Sequence, residues 1–404
     1  SQSYNNLGEL SGYHANYNGN PIFQTSYQRD SLGRITQKNE TIEGRNEKKN
    51  YAYDIAGRLW KVWRNDTLIS TYSYDPNGNR IAHITPASVD SGSYDSQDRL
   101  LKYSNSQYLY TPNGELQKKI EGTDTTHYTY DYYGNLVTVI LPNNDRIDYI
   151  IDGQNRRIGK KINRKVIKRW IYSGQLSPVA ELDSVGNIIA RFIGDYMVKD
   201  GAIYQFITDH LGSIRLVVNT NTGEVVQRLE YDEYGNVLSD SDPDYQPFAY
   251  AGGLYDPQTK LIRFGARDYD ANVGRWISKD PIRFAGGNEN LYGYVRNDPI
   301  NSIDLSGLDD WWPLNGLIEG KLQKAAKERG IELSDDAAEV LRKEMNEEEY
   351  QKLKSEELSG EEQAKILENI KDRVVNDTSD KYDSDVKEEL KKIADKLKEC
   401  EDKK

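Results

Sequence analysis

Between residues 256 and 308 the chain carries Asp256, Asp268, Asp270, Asp280, Asp298 and Asp304 amid residues that favour turns. Two carboxylates held close together cannot both ionise easily, so one stays protonated as an acid while the other activates water. That is one way to hydrolyse a bond without histidine or cysteine. Arg267 and Arg275, in the same stretch, are of the right type to orient a carboxylate or polarise a carbonyl. Other chemistry-bearing residues are scattered. His14, His83, His127 and His210 show no i, i+4 spacing, so no metal site is expected. Cys400 is the only cysteine, which excludes an intramolecular disulfide and a cysteine-based zinc site within one chain. No phosphate-binding glycine loop precedes a helix, and no cofactor is expected.

The elements that must position these residues are legible from composition and repetition. At 404 residues the chain is long enough for two or three domains. A net charge of −12 argues against a surface that coats nucleic acid, because affinity for phosphate backbones comes mostly from Lys and Arg. Thirty Tyr stand against six Phe; since a buried phenol must find a hydrogen-bond partner, the excess predicts broad sheet surfaces that stay partly wet. No run approaches the ~18 apolar residues of a membrane span, and the opening SQSYNNLGEL lacks the features of a signal peptide. The sequence is expected to be a fragment of something longer, so this says nothing about export.

From Tyr27 to about residue 240 a unit of roughly 20 to 24 residues recurs, as in YQRDSLGR, YAYDIAGRL, YSYDPNGNR, YLYTPNGEL, YTYDYYGNL, ITDHLGSIR and LEYDEYGNV. Tyr-x-Tyr puts both rings on one face of a strand. Asp at the first position of a turn with Gly at the fourth, as in Asp54/Gly57, Asp75/Gly78 and Asp131/Gly134, is the type I pattern. This pattern predicts tandem hairpins laid side by side in one long, curling antiparallel sheet, continuous over residues 20 to 300.

Tyr-Asp-x-x-Gly-Arg or Gly-Asn at this spacing resembles the YD repeat of the RHS family, shared with teneurins and the C subunits of insecticidal Tc toxins. The next segment resembles the RHS-repeat-associated core domain at Tyr255-Asp256, Gly265-Ala266-Arg267, Tyr269-Asp270, Gly274-Arg275, Asp280-Pro281, Asn290-Leu291-Tyr292, Asp304 and Gly307-Leu308. Leu305 stands where the family has Pro. The resemblance implies a mainly β fold, with a spiral YD-repeat shell over 1–240 closed by the core domain over 241–308. It also implies self-cleavage: Asp256 and Asp280 fall on the two aspartates the family uses to cut its own chain, Arg267 is their assistant, and the scissile bond is Leu308–Asp309. Asp270 and Asp304 are expected to be turn residues.

Residues 309–404 contain no Tyr-Asp-x-x-Gly unit and no histidine, and carry 28 acidic against 19 basic residues, which is −9 of the total charge. Ser334 before Asp335 and Asp336, and the pairs Asn346/Glu349 and Ser359/Glu362, are helix-start signals, and the apolar spacing predicts four or five short amphipathic helices. Trp311-Trp312 suit an anchor to the shell wall or to a membrane. The resemblance implies a secreted or cell-surface polymorphic toxin used in interbacterial competition. Its shell would enclose this C-terminal effector, and an immunity protein and secretion machinery would be its partners. A teneurin-type adhesion protein with a helical terminus is the alternative.

Overall fold

The computed structural model describes residues 1–286 and 289–308; the expected helices, Trp311, Trp312 and Asp309 lie outside them. The chain divides into two units, the first of which is compact and comprises Ser1–Ser3 with the described residues from Leu10 on. The repeats and the core segment belong to the first unit.

Each repeat turn is built by its aspartate. In Asp54–Arg58, the Gly57 N–H donates to the Asp54 carbonyl (3.0 Å), and the Asp54 N–H to that of Arg58 (2.9 Å). Asp54 Oδ1 accepts from the backbone of Ala56 and Arg58, and Oδ2 from the Arg58 guanidinium. Gly57 sits at φ +82°, a conformation that L side chains rarely adopt, which is why glycine holds this position. The same bonds recur around Asp30, Asp95 and Asp152 with Arg four residues on, and around Asp75, Asp131 and Asp232 with Asn.

Successive turns are locked together by tyrosine. The Tyr53 hydroxyl donates to the carbonyl of Ile35, the first residue after the preceding turn (2.6 Å), and Tyr74 does the same to Leu59 (2.7 Å). Tyr94, Tyr172 and Tyr231 repeat the bond to Arg80, Arg157 and Ile214. The arginine of the earlier turn stacks on the same ring: Arg34 over Tyr53 at 4.6 Å and Arg58 over Tyr74 at 4.8 Å. Phe in these places would leave the carbonyl without its donor. Tyrosine thus fastens one turn to the next, with Tyr53, Tyr74, Tyr94 and Tyr172 half-buried and Tyr231 buried. Each hydrogen bond contributes about 1 kcal/mol net.

Twenty-four strands between Gln2 and Asp240 form one antiparallel sheet in which each strand pairs with its chain neighbours. In such a meander alternate turns lie on opposite edges, so the turns at Asp30, Asp54, Asp75, Asp95, Asp131, Asp152, Asp209 and Asp232 share one edge, while the Asp183 turn lies on the other. The sheet curls until its two ends meet. Phe23 packs with Ile207, Leu216 and Val218. Arg215 pairs with Glu40 (2.8 Å) and Lys49 with Glu233 (3.3 Å). The sheet is shell-like, as expected, but it ends sooner. Pro243 and Pro247 come after its last strand, proline lacks the N–H a ladder needs, and the core segment makes a separate four-stranded sheet. Its strands are Leu254–Asp256, Leu261–Phe264, Arg267–Asp270 and Arg275–Trp276.

The core segment is seated on the aspartate-turn edge and touches the turns one by one. Asn301 Oδ1 accepts from Ile35 N, and its amide donates to the Tyr53 hydroxyl, both at 2.8 Å. Asn297 donates to the Gly78 carbonyl, Asn290 to Asn79 and Tyr292 to the Gly114 carbonyl, each at 2.7 Å. Arg263 reaches Asn135, and Asp268 bridges Arg157 and Arg263. An aromatic cluster of Tyr250, Phe264, Tyr269, Trp276 and Tyr294 fills the centre of this hub, with the Tyr269 and Tyr294 rings 4.3 Å apart.

Candidate functional site

Asp280 opens a tight turn. Its Oδ1 accepts from Ile282 N (2.9 Å), its carbonyl from Arg283 N, and its own N–H donates to the Leu291 carbonyl. Its Oδ2 lies 2.9 Å from Arg267 Nη2. The same nitrogen lies 3.1 Å from Asp304 Oδ2, so one guanidinium nitrogen brings two carboxylates together. Arg267 is fixed from three further directions. Its plane lies over Trp276 (4.2 Å), Nη1 points at the Leu291 carbonyl, and Nε donates to the Gly307 carbonyl.

Leu308 is held at the same place. Its N–H is 3.2 Å from Asp304 Oδ1 and 3.1 Å from Ser306 Oγ, and the Ser306 hydroxyl itself donates to Asp304 Oδ1. The approach is close because two glycines face one another across it. Gly265 (φ +38°) packs on the Ser306 carbonyl and Gly307 (φ +68°) on the Phe264 carbonyl, where a Cβ would collide with backbone at either position. Asp304 is 1 % exposed. Rather than a plain turn residue, it is the second carboxylate at Arg267 and the anchor of the Leu308 amide.

Asp256 is held elsewhere. It is 4 % exposed, with Lys160 Nζ at 2.9 Å from Oδ1 and the Tyr149 hydroxyl at 2.7 Å from Oδ2. The Gln258 and Thr259 amides also donate to Oδ1. Burial pushes this carboxyl up, but the Lys160 ammonium beside it, the Tyr149 hydroxyl and Arg157 outweigh burial and hold it below the ordinary carboxylate range. Asp256 thus binds Lys160 and Tyr149, where Asp280 binds Arg267.

Arg275 is committed to the repeats: it donates to the Asp98 carbonyl and lies between the Tyr94 and Tyr292 rings at 4.8 and 5.2 Å. Asp270 caps the turn to Gly274. Thus Arg267, Asp280, Gly307 and Leu308 meet, joined by Asp304, while Asp256 and Arg275 fasten the hub to the sheet. The sequence signal for Asp304 was its place four residues before Leu308, which lets a side chain double back onto a backbone N–H as in an aspartate turn.

Among the described residues no helix is long and apolar enough to cross a membrane. A crystal structure of TcdB2-TccC3-Cdc42 superposes with a TM-score of 0.62 at 20% identity, covering 76% of this chain and 18% of that one. The Burkholderia cenocepacia (strain H111) double-stranded DNA deaminase toxin A is 29% identical over 322 residues, 64% of this chain and 22% of the toxin. Teneurin-3 of Danio rerio is 29% identical over 318 residues, 70% of this chain. The chain spans only 11% of that teneurin's length. The Teneurin YD-shell family model matches residues 1–300, covering both the tyrosine-locked turns and most of the hub they surround, and the chain belongs to the Teneurin YD-shell family.

Proposed function

We propose that this chain is the carrier of a toxin, in which the YD shell encloses the C-terminal residues as an effector and the hub cuts the chain after Leu308. The observation that carries this reading is the sharing of Arg267 Nη2 by Asp280 and Asp304, at the point where Arg267 and Asp304 also grip Gly307 and Leu308. Carboxylates brought this close repel each other when both are ionised, which favours keeping one proton between them, while the Arg267 cation they share favours the charged form. The ionised carboxylate takes a proton from water as the water oxygen attacks the Leu308 carbonyl carbon. The protonated one gives its proton to the departing nitrogen of Asp309 as the C–N bond breaks. Holding the reacting groups together lowers such a barrier by roughly 7–11 kcal/mol. Asp280 and Asp304 are the pair in this proposal, with Arg267 positioning both; Asp256 is a fastening.

Release of an effector at a competitor or host, an extracellular or cell-surface setting, an immunity protein and a secretion route belong to the same proposal. The likeness to a DNA deaminase toxin supports it. The teneurin likenesses support a second reading, a surface-presented shell with a non-toxic terminus.

A denaturing gel of the purified protein tests the cleavage. Two fragments are expected from wild type and a single band near 46.3 kDa from Asp280→Asn and from Asp304→Asn. Wild type that stays whole refutes self-cleavage, and fragments persisting in both variants indicate an outside protease. Expression of residues 309–404 alone separates the two readings: growth inhibition favours the toxin, unaffected growth the surface protein.

A further inference from the structure

The residues that lead to Leu308 follow the pattern of the repeat turns. Asp304-Leu305-Ser306-Gly307-Leu308 has aspartate first and glycine fourth, as Asp54-Ile55-Ala56-Gly57-Arg58 does. Gly307 takes the same left-handed backbone as Gly57, at φ +68° against +82°. Oδ1 of the aspartate also meets the same two places in both turns. In the Asp54 turn it accepts from the second and fourth residues on, through the Ala56 and Arg58 amides, both at 2.9 Å. In the Asp304 turn it accepts from the second through the Ser306 hydroxyl (3.1 Å) and from the fourth through the Leu308 amide (3.2 Å).

The turns part company at Oδ2. In eight repeat turns the side chain four residues on holds Oδ2 from within, at 2.7 to 3.0 Å: an arginine after Asp30, Asp54, Asp95 and Asp152, and an asparagine after four others. At Asp304 that place belongs to Leu308, whose side chain has no donor. Oδ2 of Asp304 faces Arg267 Nη2 instead, at 3.1 Å, and the same nitrogen lies 2.9 Å from Asp280 Oδ2. A leucine in the fourth place thus leaves the aspartate open to a partner from outside its own turn.

We propose that residue 308, besides preceding the cut, decides whether Asp304 takes part in it; this rests on the self-cleavage proposed above. A side chain that cannot reach back leaves Oδ2 to the nitrogen shared with Asp280, and the two carboxylates stay together. Arginine or asparagine at this place closes Asp304 into one more repeat turn. Oδ2 is then drawn off Arg267 and held by its own partner, which favours the ionised form and parts it from Asp280. The cut site is in this sense a repeat turn whose internal partner has been removed.

Full-length chains made by cell-free translation, with fragments followed against time on a denaturing gel, test this. Leu308→Arg and Leu308→Asn restore the two kinds of repeat turn, and asparagine has almost the shape of leucine, so the second answers if the first does not fold. Leu308→Met, without a donor, and Leu308→Ser are the references. Serine is too short to reach back: Ser213, at this place in the Asp209 turn, accepts from Ala251 N with its hydroxyl oxygen. Cleavage of the Arg and Asn variants is expected to be about tenfold to hundredfold slower than that of the references. Equal rates in all four overturn this inference and leave self-cleavage standing. Leu308→Ser as slow as Leu308→Asn also overturns it, because the site then requires only an apolar residue. Wild type that stays whole overturns self-cleavage and this inference with it.

Discussion

Asp256 and Asp280 are both buried, both face a cation, and both begin a tight turn in the hub, yet their partners come from different places. Asp256 is bound by Tyr149 and Lys160, which belong to strands of the large sheet. Asp280 is bound by Arg267, which holds Asp304 and the Gly307 carbonyl as well, all within the hub. A buried ion pair that spans two bodies acts as a fastening, because separating the bodies strands both charges. A cluster whose carboxylates and guanidinium meet within one body, beside its own last residues, is placed to act on them.

That contrast breaks most visibly in a cleavage assay. Asp256→Asn is expected to give the same two fragments as wild type, where Asp280→Asn gives one band; a single band from Asp256→Asn on a denaturing gel would put Asp256 back into the chemistry. Next in size is Lys160→Met, which leaves Asp256 buried without its cation and should cost about 3–5 kcal/mol in denaturant unfolding, with cleavage retained in the folded fraction. Gly307→Ala forces a side chain into a positive-φ position 2.8 Å from the Arg267 backbone nitrogen. A strain of about 1–3 kcal/mol there should slow cleavage, measured as fragment appearance against time, more than it lowers the melting temperature.

The pH response sharpens the comparison further, because hub carboxyls are shifted in opposite directions. Asp256 lies below its ordinary value, so its contribution to stability is present above that value and is lost as pH falls through the folded pKa. Asp298 is pushed up to about 7 by burial, which outweighs the Asn301 hydrogen bond and the Arg34 charge, and its Oδ2 has no partner. Its contribution is full below the ordinary carboxylate value of 3.8 and is lost as pH rises through about 7. Melting curves at pH 5 and pH 8 should therefore show Asp298→Asn gaining on wild type at the higher pH. The smallest effect is expected for Tyr172→Phe, which removes the single bond to the Arg157 carbonyl, about 1 kcal/mol by denaturant unfolding, with the two fragments unchanged.

The turns were legible in the sequence because the bonds that make them are local: Asp, Gly and the residue four after Asp all lie within one turn, so their spacing states the geometry. The tyrosine locks were half legible. The ring positions are set by Tyr-x-Tyr, but the hydroxyl's partner lies a full repeat earlier, and the excess of tyrosine was compatible with wet surfaces as well as with fastened ones. The repeat pattern alone carried the large sheet past residue 240, because the short strands of the hub have the same Tyr-Asp and Gly-Arg pairs as the repeats, and only Pro243 and Pro247 mark the change. Asp280 and Leu308 were singled out by resemblance and Arg267 by its type, and the fold brings the three to one place. Asp304 was read as a turn residue, since its contact to Asp280's partner depends on a guanidinium 37 residues away.

The hub meets the aspartate turns with a different side chain at each: Asn301 at the first, Asn297 and Asn290 at the third, Tyr292 at the Gly114 turn, Arg263 at the Asn135 turn. The locks between neighbouring repeats are interchangeable, and any number of repeats would satisfy them. The hub's contacts are not interchangeable. It therefore works as a gauge for the sheet: a repeat gained or lost leaves every neighbour-to-neighbour bond intact but throws each later turn out of phase with its partner, so the length of this stretch of shell is set by the segment that comes after it.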